Sequence, residues 1–143
     1  MATGDDDPYD LQRFVDAQRA VYDQARAELT AGRKRSHWMW FIFPQIKGLG
    51  SSEMSRRYAI SSREEAAAYL MHPLLGPRLR ECTRLVTDID DGSVHEIFGS
   101  PDDMKFHSSM TLFAQVTSNN ADFLAALSKY FGGNPNAATL ARL

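Results

Sequence analysis

The sequence predicts an all-α fold, a single compact domain of about six to eight helices. Apolar residues recur at three- and four-residue spacing along most of the chain. Serine, glycine and proline stand where those periodic segments begin and end. One short aromatic run, residues 38–43, has strand composition, but no partner strand is visible for it.

The elements follow in order. Residues 1–8 read as a disordered acidic tail, and residues 9–143 as one helical domain. From Tyr9, Leu11, Phe14, Val15, Gln18, Val21, Tyr22, Ala25 and Leu29 form a helical stripe. Asp7 and Pro8 supply a cap and a first-turn proline, and Gly32 ends the helix. Arg33, Lys34 and Arg35 follow where cations favour a helix C-terminus. Ser36 is placed to cap a short helix, His37 to Phe43, which Pro44 stops. Ser51 and Ser52 precede another, "EMSRRYAI". Ser62 and Glu65 have the spacing of a capping box and open a helix through Leu70. Pro73 and Pro77 bracket a turn before an amphipathic helix that points Leu79, Cys82, Leu85, Val86 and Ile89 inward. "VHEIFG" is a short helix ended by Gly99. Ser100, Pro101, Asp102 and Asp103 then start a helix reaching about Val116. "ADFLAALSKYF" closes at Gly132 and Gly133, and "NPNAATLARL" adds a terminal turn or two.

Composition narrows the function classes. The chain has 143 residues, enough for a proper core, with 43% hydrophobic and 24% charged residues. A net charge of −2 gives no overall pull toward nucleic acid, so any anion recognition must be local. Cys82 is the sole cysteine, which excludes an internal disulfide and a thiolate cluster. His37, His72, His95 and His107 lack metal-ligand spacing, and no metal or cofactor is expected. No apolar run approaches a membrane span, and the acidic N-terminus is unlike a signal peptide; a cytoplasmic protein is the expectation. No heptad pattern predicts an oligomer.

Familiar catalytic and nucleotide-binding signatures are absent: there is no GxGxxG, Walker loop, HExxH or GxSxG. Three local features remain. In "SHWMWFIFPQ", the rings of a helix would spread around its circumference and belong in the core, while His37 and Gln45 form a polar edge beside them. In "KGLGSS", Gly48 and Gly50 permit close backbone approach, and Ser51 leads into a helix start that can cradle an anion. Lys47 and the Arg56–Arg57 pair can add charge. In "DDMKFHSSMTLF", Lys105 and Ser109 share one helix face.

The strings "GRKRSHWMWFIFPQIKGLGSSEMSRRYAIS", "AYLMHPLLGPRLREC" and "IFGSPDDMKFHSSMTLF" closely resemble the DUF1810 family, small bacterial proteins of unknown function. The resemblance runs from about Tyr9 to the C-terminus. It implies a mainly helical fold related to α-α superhelical packing, and no activity. The calpastatin label sometimes attached to the family implies a repetitive, disordered protease inhibitor, which this aromatic-rich sequence does not match.

Two functional expectations follow. One is a non-catalytic module whose polar-aromatic pocket binds a small anionic ligand or a protein segment. Its contacts would come from His37, Gln45, Lys47, Gly48, Gly50, Ser51, Arg57, Lys105 and Ser109. The other is a hydrolase or transferase acting on a phosphorylated or nucleotide-like substrate. There His37 would serve as general acid/base, with Asp103 or Ser109 assisting.

Overall fold

The computed structural model describes residues 7–143. Among them are nine helices: α1 (Gln12–Thr30), α2 (Met39–Ile42), α3 (Glu53–Arg57), α4 (Arg63–Met71), α5 (Leu75–Thr87), α6 (Val94–Phe98), α7 (Asp102–Gln115), α8 (Ala121–Phe131) and α9 (Ala137–Leu140). The fold is all-α, as expected. The count exceeds six to eight because the expected terminal turn stands as a helix of its own, α9. Residues 1–6 of the expected acidic tail lie outside the described residues.

α7 is the axis of the core. It buries eight of its 14 residues, including Phe106, Met110 and Phe113. A helix buried on most sides must be wrapped by others. Here α8, α6, α9 and α4 all pack against it. α1 packs on α5. The rings of Phe43 and Phe98 lie 5.0 Å and 4.8 Å from that of Phe106, and so join the aromatic run to α7. Trp38, Met39, Ile42 and Phe43 are buried, whereas Trp40 and Phe41 are only partly so.

Most helix ends obey local chemistry. At the end of α1, Gly32 has φ +86°, its N–H donates to the Leu29 carbonyl, and that of Arg33 donates to the Glu28 carbonyl. That double return is a Schellman motif. The Ser62 hydroxyl accepts from Glu65 N, and Ser93 and Glu96 complete a reciprocal capping box on α6. α1 begins later than Pro8 predicts. Asp7 to Asp10 form a turn, and the Asp7 carboxylate then accepts from the N–H groups of Leu11 and Gln12.

The expected helix His37–Phe43 shrinks to the single turn of α2, because Ser36 is engaged elsewhere. Its N–H and hydroxyl both donate to the Glu28 carboxylate, at 3.1 Å and 2.6 Å. Glu28 is 4% exposed and also accepts from Arg35 N, Trp38 Nε1 and Gln24 Nε2. Burial alone would raise its pKa. The hydrogen bonds from Ser36, Arg35, Gln24 and Trp38 outweigh burial and bring it down from 4.5 to about 2. The segment from α1 to α2 is thus folded around one carboxylate.

Two outcomes follow for Glu28. Glu28→Ala strands buried donors, including the Trp38 indole, and should cost about 2–4 kcal/mol in urea unfolding at pH 7. Because the folded pKa lies below the unfolded one, the carboxylate's contribution is fully present above about pH 4.5 and fades as pH falls toward 2. The stability gap between wild type and the non-titrating Glu28→Gln should therefore narrow between pH 5 and pH 2.5, on the order of the folded and unfolded pKa values.

Candidate functional site

Past α2, Pro44 ends the helix and the chain enters a loop closed at its base. Lys47 N donates to the Ile60 carbonyl at 2.8 Å, and Ile60 N to the Gln45 carbonyl at 2.9 Å. This isolated parallel bridge between Ile46 and Ile60 was not expected. It joins residues 14 apart through a single pairing, which leaves no periodicity in the sequence to announce it. The loop carries α3, capped by Ser52, whose hydroxyl accepts from Ser55 N and donates to Ser55 Oγ.

Each glycine has a distinct packing reason. Gly48 adopts φ +99° beside the Arg142 side chain, which donates to its carbonyl at 3.2 Å. Gly50 needs no unusual φ; a Cβ there would stand 2.5 Å from Ser55 Cβ. The turn is therefore pressed directly onto α3.

Around this loop lie three adjoining hollows. The first, of about 390 Å³, runs between the loop and the facing sides of α7 and α9. Gln45, Gly50, Ser51, Ser52 and Ser55 line one wall; Pro101, Met104, Lys105, Ser108, Asn136 and Ala138 line the other. The second, of about 320 Å³, lies toward α1 and α4, and is bordered by Gln45, Lys47, Gly48, Arg56 and Arg57. Its floor includes Arg13 and Glu65, an enclosed ion pair at 2.9 Å. Arg13 is consumed there, since it also donates to the carbonyls of Tyr9, Asp10, Arg57 and Ala59. The third is a slot of about 10 Å³ between Trp40, Pro44, Gln45, Tyr58 and Lys105. Gln45 and Ser55 border all three.

The charge balance is local and positive. Among the described residues, Lys47, Arg56 and Arg57 form no ion pair. Lys105 has a partner, but a shared one: Asp102 lies 3.5 Å from Lys105 Nζ and 2.8 Å from Lys34 Nζ. The two lysines each stand over an indole, Lys34 over Trp38 at 5.3 Å and Lys105 over Trp40 at 5.2 Å.

The residues singled out from sequence divide clearly. Gln45, Gly50, Ser51 and Lys105 meet at the first hollow, and Lys47, Gly48 and Arg57 at the second. His37 is exposed between α1 and α2 and lines none of the three hollows. Asp103 faces His95 at 3.1 Å and its own helix start, donated to by Met104 N. Ser109 is wholly buried, its hydroxyl unpartnered. Ser55, Met104 and Asn136 are lining residues that sequence reasoning missed. The i+3 relation of Ser52 to Ser55 was a readable signal for the first; the other two depend on how α7 and α9 pack.

Other chemistry is muted. Cys82 is fully buried, and burial pushes its thiol up to about 12. Among the described residues no group of three or more His, Cys, Asp or Glu is arranged to hold a metal ion. No helix among them is long and apolar enough to cross a membrane.

Comparisons with known proteins bear on family and fold. The family model described as "Protein of unknown function (DUF1810)" matches residues 8–143. The crystal structure of the conserved hypothetical protein Rv1873 from Mycobacterium tuberculosis is similar at a TM-score of 0.94 and 60% identity, over 95% of this chain and 97% of that one. Comparison with curated proteins gives no match. With a family model spanning nearly its whole length and a relative of the same shape at such identity, this chain belongs to the DUF1810 family.

Proposed function

We propose that the protein is a binding module for a small anionic ligand, held in the groove formed by the two larger hollows that flank the 45–57 loop, one facing α7 and α9 and the other facing α1 and α4. The observation that carries this is the placement of Lys105 on one and of Lys47, Arg56 and Arg57 on the other of two adjoining hollows that share the neutral side chains of Gln45 and Ser55. Both larger hollows fall in the size range typical of small-molecule pockets, roughly 300–1,000 Å³. Phosphorylated ligands suit the cationic rim best, because an arginine pair and a lysine can share three anionic oxygens.

The geometry favours binding over catalysis. The titratable groups along the groove are cations and the ion-paired Glu65, which leaves no poised acid or base beside a ligand. The rival acid–base role for His37 would need a substrate reaching outside the groove. The anion cradle at the start of α3 also contributes little, since that helix has five residues and Ser52 already occupies Ser55 N.

A thermal-shift panel of nucleoside monophosphates and sugar phosphates tests the reading, with calorimetry on any stabiliser. Arg57→Ala, an exposed rim charge, should weaken binding about two- to fivefold. His37→Ala should bind as wild type does, and the ligand should be recovered intact after long incubation. Affinity should fall as salt rises past about 0.1 M, where exposed charges are screened. A panel with no stabiliser would refute the proposal, and loss of turnover in His37→Ala would replace it with the enzymatic one.

A further inference from the structure

We infer that the slot between Trp40, Gln45 and Lys105 anchors one oxygen of the ligand's oxyanion, a carboxylate or phosphate borne on an apolar body. This rests on the reading of the groove as an anion site and gives that site its chemical selectivity.

The first ground is an unmatched donor. Trp40 Nε1 is shielded from solvent and has no hydrogen-bond partner, although Trp40 lines the slot. The contrast with Trp38 is informative: two residues earlier, the other indole donates to Glu28 at 2.9 Å. Buried indole N–H groups normally find an acceptor. At about 10 Å³ the slot holds roughly one oxygen-sized group.

The second ground is the polarity of the walls. An indole N–H and an ammonium can only donate. Lys105 supplies the ammonium, and its single carboxylate neighbour, Asp102, lies closer to Lys34. One carboxylate between two ammonium groups leaves a net positive charge. Gln45 borders the slot as well, and its carboxamide N–H₂ can turn inward as a third donor. Such a slot matches an acceptor, and its charge selects an anionic one.

The third ground concerns the rest of the ligand. The slot shares Lys105 with the larger hollow, where Leu49, Pro101, Met104 and Ala138 present apolar surface. Met104 is 54% exposed there, an apolar side chain available for cover. An oxyanion seated in the slot would lay its apolar body against these residues.

The test uses the full chain and two probes with the same ring, benzoate and phenyl phosphate, with benzamide as the neutral control. The chain has two tryptophans, so its indole N–H groups give two resonances in a ¹H–¹⁵N spectrum, and Trp40→Phe assigns them. On titration with an oxyanion the Trp40 resonance should move downfield and saturate, while that of Trp38 stays fixed and benzamide moves neither. Response to benzoate alone identifies a carboxylate ligand, and response to phenyl phosphate alone a phosphate. Trp40→Phe and Lys105→Met should each raise the Kd about tenfold or more, the loss of a hydrogen bond to a charged group. An oxyanion that binds wild type and Trp40→Phe equally, with the Trp40 indole unmoved, overturns the anchor and leaves the groove reading intact. If neither probe binds wild type the anchor falls, and if the phosphorylated panel also fails the groove reading falls with it. The wild-type spectrum decides the matter even if a variant does not fold.

Discussion

The interaction on which the rest depends is the buried carboxylate of Glu28. It sits in the last turn of α1 and gathers five hydrogen bonds, four of them from residues 35–38 just beyond the helix. A charge taken out of water is tolerated only where its lone pairs are filled, and here the following loop fills them. That requirement fixes the path of residues 35–38 and seats the Trp38 indole in the interior. Trp40 then falls at the rim, since two residues of helix advance by about 200° and turn the second ring to the opposite side. The polar-aromatic edge is a downstream result of solvating one acid.

A second constraint ties this turn to the groove. Lys34, held by its backbone to the Ile97 carbonyl, reaches Asp102 at the start of α7, and Asp102 reaches on to Lys105. Such partly buried charges are coupled more strongly than surface pairs, because water screens them less. The acid at the N-terminus of α7 therefore serves three purposes. It matches the helix dipole, it fastens the α1–α2 segment, and it holds the Lys105 ammonium near the Trp40 ring without fully neutralising it.

The helical plan was legible because it rests on local rules. Gly32, Ser62, Gly99 and Gly132 act where the sequence places them, and the stripe Phe106, Met110, Phe113 is buried as its spacing requires. What sequence reasoning could not supply was competition between distant partners. Ser36 has the composition of a cap, but a buried carboxylate eight residues earlier takes it. Ile46 and Ile60 look like core residues, and only tertiary packing reveals their backbone pairing. For the site, Gln45, Gly50 and Lys105 were identifiable by residue type and converge. His37 and Ser109 are equally polar by type, yet one is turned to solvent and the other sealed inside. Orientation about a helix axis or a loop is decided by packing, and residue type alone does not encode it.

Gln45 borders both larger hollows and the slot. A carboxamide has one donor end and one acceptor end, and they turn together about a single bond. When the N–H₂ is aimed at an oxygen on one side, the C=O is presented to the other. An oxyanion seated in the slot would fix which way this carboxamide faces and so give the groove a direction. An elongated guest would then be matched head to tail, with an acceptor in the slot and a donor further along.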